Sequence, residues 1–317
     1  SVESKIDEES SKNKDNEDVS EESNKIKEID EDDILLDVDS DLSVCSDELH
    51  EGGSHFISLP EFPVQITVSE TLKDTLDSLL LQDAKKIENL FEENILDSDD
   101  IDLELSRTKL YQELETKWCC YLFQICFGLA VAQKHFDFTH NDLHSNNIMF
   151  VETTEEFLYY QIEKKIFRIP TYGVILKIID FGRAIYRVNN FQYFNDIFSF
   201  HNEAGEQYSY PFDDKELMDE VVKPNPSFDL SRLGVSIIDD MYPSPIENSS
   251  LYQLIHQWTL DEKGRYVGRF DDFELYKQIA RYVHHAVPIE QLKKDIFQVF
   301  EIDRSNITIK DTKIYKY

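Results

Sequence analysis

An α+β fold, mostly helical with small β-hairpins, is the class this sequence predicts. Three observations carry it. From Ser106 to Phe136, apolar residues (Leu110, Leu114, Trp118, Tyr121, Leu122, Ile125, Leu129) recur at three- and four-residue steps, the spacing of one long helix. Short β-branched runs follow over 148–179, with the composition of strands. Two further helical patterns, about 271–285 and 288–300, fill the C-terminal part, and no internal repeat divides the chain.

The 317 residues could form one large domain or two small ones, and 41% apolar content supports a sizeable core once a polar tail is set aside. That tail is 1–51, with 20 Asp and Glu against 5 Lys; it cannot bury enough apolar area to offset its ordering entropy, so disorder is expected there. Asp37, Asp39, Asp41 and Glu48 fall in an EF-hand register, but Leu42 stands where the sharp turn needs Gly, so an ordinary acidic tail is the better reading. A net charge of −32 argues against nucleic acid and anionic membranes as partners. The longest apolar run, Trp118 to Ala132, is too short to cross a bilayer, and no signal peptide is evident. Cys45, Cys119, Cys120 and Cys126 form no C-x-x-C pair, which points to a reduced, intracellular protein without zinc or disulfides.

Order is expected from about His55. Phe62–Glu70 reads as a strand, Thr71–Asp74 as a polar break, and Thr75–Leu81 as a short helix capped by Thr75 or Asp74. Residues 83–105 are charged, with helical spacing in Ile87, Leu90 and Phe91, and read as a surface insertion. The second half of the 106–136 helix is apolar nearly all round and belongs in a core. After it comes Thr139-His140-Asn141-Asp142-Leu143-His144-Ser145-Asn146-Asn147, an H-x-D-x4-N spacing that runs into a strand over 148–152. A hairpin over 157–160 and 165–169 precedes Val174–Ile179, a β-branched run expected to be a buried strand, which delivers Asp180-Phe181-Gly182. Residues 183–227 are loop-like, and an apolar helix begins near Asp229-Leu230-Ser231-Arg232-Leu233-Gly234.

Alone, each short motif is weak; in this order they make the chain resemble the C-terminal lobe of protein kinases. It looks closest to haspin-type kinases and kinase-like proteins of large DNA viruses, over roughly residues 56–240. The resemblance divides the chain into the acidic segment 1–51, the last N-lobe strands and hinge over 52–74, and a C-lobe over 75–317. That C-lobe would carry the insertion 83–105, an extra hairpin 153–173 and an activation-loop-like segment 183–227. By resemblance, Asp142 accepts or orients the proton of the substrate hydroxyl, which a carboxylate suits because it stays ionised. Asn147 and Asp180 would hold Mg²⁺ through hard oxygen ligands. The backbones of Glu70 and Leu72 would bond the adenine of ATP, with Met149 beneath it. His140 would be a packed structural histidine and Phe181 would be buried behind the metal loop. Gly182 would supply backbone freedom, and Asp229 would hold the amides of the 140–147 loop. The plain alternatives are turn residues at Asp142 and Asn147 and a strand end at Asp180.

Several positions depart from the family pattern. Asn141 replaces the usual Arg, which puts activation by loop phosphorylation in doubt. His144 stands where Ser/Thr kinases carry a Lys that contacts the transferred phosphate, so it joins Asp142 as a candidate catalytic residue. No Ala-Pro-Glu follows Gly182, and Gly52-Gly53 is not a Gly-rich phosphate loop. The reading is therefore an ATP- and Mg²⁺-dependent Ser/Thr protein kinase acting on a protein substrate. It is expected to be a fragment without the Gly-rich loop and strand Lys, inactive alone, from the cytoplasm or nucleus of a host cell or from a virion. A small-molecule phosphotransferase and a pseudokinase scaffold are the alternatives.

Overall fold

The computed structural model describes residues 70–92, 101–199, 202–208, 222–241, 249–306 and 313–317. The acidic segment 1–51, its EF-hand-like register and Cys45 lie outside them, as does the strand expected over Phe62–Glu70 apart from Glu70 itself.

The two-residue β1 (Asp74–Thr75) leads directly into α1 (Leu76–Glu92). Thr75 caps this helix: its Oγ1 accepts from Ser78 N at 3.3 Å and its carbonyl accepts from Ser78 Oγ at 2.7 Å. α1 continues well past Leu81, and α2 (Ile101–Phe136) starts five residues before Ser106, so the charged stretch 83–105 is helical at both ends. Asp83 explains part of its charge. Although nearly enclosed, it receives Lys117 at 2.6 Å, Lys86 at 2.8 Å and Trp118 Nε1 at 3.0 Å, and so ties α1 to α2.

The second half of α2 is buried nearly all round from Cys119 and Cys120 through Phe123 to Leu129, with Gly128 exposed. Burial pushes the Cys120 thiol up to about 12, so these cysteines serve as small apolar core groups. Among the described residues, three sheets pack against this helix. In the first, β2 (Ile148–Glu152) lies between β1 and β5 (Val174–Ile178), antiparallel to both. β5 is half-buried rather than buried as its apolar run suggested, because among the described residues it lies at the edge of the sheet with β2 as its one neighbour. The second sheet is built on the expected hairpin, β3 (Phe157–Ile162) and β4 (Lys165–Pro170). The third is the hairpin of β6 (Tyr186–Val188) and β7 (Phe191–Tyr193).

α3 (Phe228–Met241) is the apolar helix expected after Ser227. α4 (Ser250–Trp258) has no counterpart among the expected elements; Ser249 caps it through Tyr252 N at 3.0 Å, and Leu251, Leu254, Ile255 and Trp258 form its buried face. α5 (Asp272–Tyr282) ends earlier than its pattern, because the Asn225 side chain donates to the carbonyls of Ile279, Ala280 and Val283. The pattern at 288–300 is two turns, α6 (Pro288–Gln291) and α7 (Asp295–Gln298), not one helix. Here Gln298 Nε2 takes the Leu292 carbonyl at 2.8 Å, satisfying at a break a group that a helix would have used internally. The chain ends with β8 (Glu301–Ile302) and β9 (Ile314–Lys316), which complete the second sheet in the order β8-β4-β3-β9. Phe123 of α2 meets Tyr160, Phe167 and Phe297 with ring centroids 5.3, 5.3 and 5.7 Å away, joining this sheet to the helical core. Among the described residues, no helix is long and apolar enough to cross a membrane.

Candidate active site

The antiparallel pairing of β2 with β5 sets the geometry. Ile148, the first residue of β2, pairs with Ile178, the last of β5. The loop that ends at Asn147 and the turn that begins at Asp180 therefore leave the same end of the sheet. Ile179 N donates to the Asn147 carbonyl at 3.0 Å and closes the junction.

The His140–Asn147 loop is held from below and from both sides. Asp229, fully buried near the start of α3, accepts from His140 N at 2.9 Å and Asn141 N at 3.0 Å. Burial raises the Asp229 carboxyl, while His140 and the two amides pull it back down. Ser236 Oγ takes Ser145 N at 3.2 Å, and Ser145 Oγ reaches Asp77 of α1 at 3.2 Å. Leu143 is fully enclosed. His140 is also fully buried, with Nε2 2.7 Å from the Ile179 carbonyl; the oxygen can only accept, so Nε2 carries the proton. The ring thus cross-links this loop to the end of β5.

Asn141 sits in the left-handed region (φ 65°), a conformation Asn tolerates better than most residues. Its amide donates to the carbonyls of Thr139 at 3.2 Å and Arg183 at 3.1 Å, and its oxygen accepts from Gln207 Nε2 at 3.3 Å and from the Tyr208 hydroxyl. A neutral side chain therefore fastens the 183–208 segment where the family pattern would have an Arg.

Asn147 is buried and turns its amide nitrogen to the Asp142 carbonyl at 2.9 Å, which leaves its side-chain oxygen as the end available to a cation. Asp180 is exposed, with φ 59°, and one of its oxygens accepts from Gly182 N at 3.3 Å. An amide oxygen and a carboxylate are a hard donor pair that fits Mg²⁺. Among the described residues no group of three His, Cys, Asp or Glu could hold a metal alone, so phosphate oxygens or water would have to complete such a shell.

Two expectations for the 180–182 turn need correction. Phe181 is not buried: it is 56% exposed, lying against Phe138 and His140 with centroids 6.0 and 5.6 Å away. The turn over 181–183 is a single 3₁₀ turn, so Phe181 is laid on the outside of the loop. Nor does Gly182 supply the unusual backbone angle, which falls on Asp180 instead. A Cβ at Gly182 would meet Asp180 Oδ1 at 3.3 Å, so the glycine gives the carboxylate room.

His144 is half-buried. Loss of solvent lowers its pKa, and Arg232 and His140 add to this, against opposite pulls from Asp142 and Asp180. A neutral imidazole close to both candidate carboxylates results. Glu70 and Leu72 lie in the chain just before β1; Glu70 pairs with Lys177 at 3.0 Å, and Met149 faces Thr75 across the β1–β2 pair.

Tyr276 on α5 joins the site without any signal in the sequence. Its hydroxyl donates to Asp142 Oδ1 and accepts from Arg232 Nε at 3.3 Å. The Arg183 and Arg232 guanidiniums stand 5.3 and 5.5 Å from its ring. No local pattern could have announced a contact between residues 134 positions apart.

No family model matches the chain. Sequence similarity to individual proteins is confined to part of it. The chain is 38% identical to the serine/threonine-protein kinase haspin of Mus musculus over 81 residues, 26% of this chain and 10% of that protein. It is 41% identical to the haspin homolog of Arabidopsis thaliana over 68 residues, 22% of this chain and 11% of that protein. It is 25% identical to the Drosophila melanogaster haspin homolog over 170 residues, 51% of this chain and 29% of that protein. The matches thus span between a tenth and under a third of these relatives. They support a protein-kinase-like relationship for this mixed helix-and-sheet chain.

Proposed function

We propose that this chain carries the catalytic centre of an ATP- and Mg²⁺-dependent serine/threonine protein kinase. The observation that carries the reading is that the loop bearing Asp142 and Asn147, whose amides Asp229 holds, and the turn bearing Asp180 leave the same end of the β2–β5 pair. Phosphoryl transfer needs positioning and charge neutralisation more than covalent help. Asp142 takes the proton of the acceptor hydroxyl as its oxygen bonds to phosphorus. Asn147 and Asp180 would hold Mg²⁺, which when bound would supply neutralisation of the phosphate charge. His144, kept neutral by burial, offers the phosphoryl group a hydrogen bond where a lysine would offer a charge. The backbones of Glu70 and Leu72 and the side chain of Met149 form the adenine seat.

The test is transfer from labelled ATP to a protein acceptor by the natural protein in full. Asp180→Asn and Asp142→Asn should each lower kcat by about a hundredfold or more, since each removes a charge aimed at the transition state. Full activity in either variant would sink the assignment. His144 also favours a second reading, transfer to a small hydroxyl-bearing molecule. Phosphorylation of such molecules without any of protein acceptors would select that alternative, and ATP binding without turnover would select the scaffold.

A further inference from the structure

Tyr276 stands against Asp142, the group proposed to take the acceptor proton, and its role rests on that kinase reading. A phenol has one proton to donate. Arg232 Nε, which can only donate, approaches the Tyr276 oxygen at 3.3 Å, so the phenolic proton is directed to Asp142 Oδ1. Burial raises the Tyr276 pKa, and Asp142 adds to this against the opposite pull of Arg232, so the phenol keeps that proton. The ring has little freedom. Phe228 and Phe273 pack against it at 5.9 and 6.2 Å, and the two guanidiniums lie 5.3 and 5.5 Å from its centre. A hydroxyl therefore already sits on Asp142 in the way an acceptor hydroxyl would have to.

We infer that Tyr276 is a specificity-determining residue: its hydroxyl stands in for the acceptor's on Asp142, and excludes water from that carboxylate until an acceptor displaces it. Transfer to an acceptor forms the acceptor O–P bond, breaks the bond between the γ-phosphorus of ATP and the bridging oxygen, releases ADP and sends the acceptor proton to Asp142. Water at the same oxygen would run the same sequence and yield ADP and inorganic phosphate. A protein acceptor, anchored at several points, can displace the phenolic proton, which turns away about the C–O bond while the ring and its Arg232 contact stay in place; a single water molecule has only its own hydrogen bonds with which to compete. Tyr276 thereby selects anchored acceptors over solvent, and Arg232 fixes the direction of its proton.

Tyr276→Phe isolates the hydroxyl, because the ring and its aromatic and guanidinium contacts remain. The measurements, made on the natural protein in full, are ATP hydrolysis without acceptor, and kcat and KM for transfer to casein as the acceptor probe, with a thermal melt to confirm folding. Hydrolysis should rise roughly tenfold or more, the scale of one lost hydrogen bond to a charged group, and the acceptor KM should fall while kcat for transfer changes less than about twofold. Arg232→Gln should move hydrolysis the same way by a smaller factor. Hydrolysis unchanged in a folded, transfer-competent Tyr276→Phe variant would overturn the inference. A parallel loss of hydrolysis and transfer would also overturn it, making Tyr276 a support for Asp142 instead. A wild-type protein that turns over no ATP, with or without casein, would refute the kinase reading first, and this inference with it.

Discussion

The two loops that present the candidate carboxylates are held in opposite ways. The one with Asp142 is interior. Asp229 takes two of its amides, Ser236 a third, and His140 and Leu143 are fully enclosed. The one with Asp180 is at the surface: Asp180, Phe181 and Gly182 are exposed, and the carboxylate accepts from the amide two residues on. Buried polar anchors make a position costly to vary, whereas a surface turn can adjust to what binds it. On the proposed kinase reading, Asp142 would be a fixed base and Asp180 an adjustable metal ligand, which would suit chemistry in which the proton acceptor is placed before metal and nucleotide arrive.

Substitutions can break that contrast. The largest effect is expected from Asp229→Ala, which leaves two buried amides without an acceptor and should lower unfolding free energy by about 2–5 kcal/mol in urea denaturation. Asp229→Asn keeps one acceptor oxygen and should cost less. Phe181→Ala on the exposed loop should cost only about 0.5–1 kcal/mol in the same assay, since the exposed ring loses little more than its contacts with Phe138 and His140. Equal losses at the two sites would erase the distinction. The smallest effect concerns His144, which feels Asp142 and Asp180 together. Its folded pKa is lowered, so the unfolded chain binds the proton more readily, and stability is lost as pH falls below the ordinary histidine value of about 6.5 toward the folded one. His144→Gln should therefore shrink the drop in Tm between about pH 7 and 5. An unchanged drop would mean that the imidazole is not held neutral.

The interior loop is the more legible of the two in the sequence. Its residues sit at a fixed spacing directly before a strand, and Asp229 opens a helix with an apolar pattern, so local signals place each on its element, while the family resemblance is what brings Asp229 to the loop's amides. The exposed turn is less legible, because burial of Phe181 depends on what packs over it and nothing in three residues encodes that. α4 does carry a local signal: Ser249 followed by Leu251, Leu254, Ile255 and Trp258 is a cap and an apolar stripe. The breaks after α5 and α6 carry none, because Asn225 and Gln298 make them with side-chain bonds that periodicity does not register. Tyr276, Arg232 and Tyr208 belong to the same class. Their contacts join distant parts of the chain, and their residue types are common on any helix or loop.

Asn225 has a mechanical consequence. It precedes α3, which anchors the Asp142 loop, and its one amide group grips the last turn of α5, just beyond Tyr276. α5 is about 16 Å long, and its inner face is also packed through Leu275 and Ile279. Loosening the clamp would let the helix tilt on that face and lift the phenol off Asp142, so a single carboxamide helps set how readily the two part.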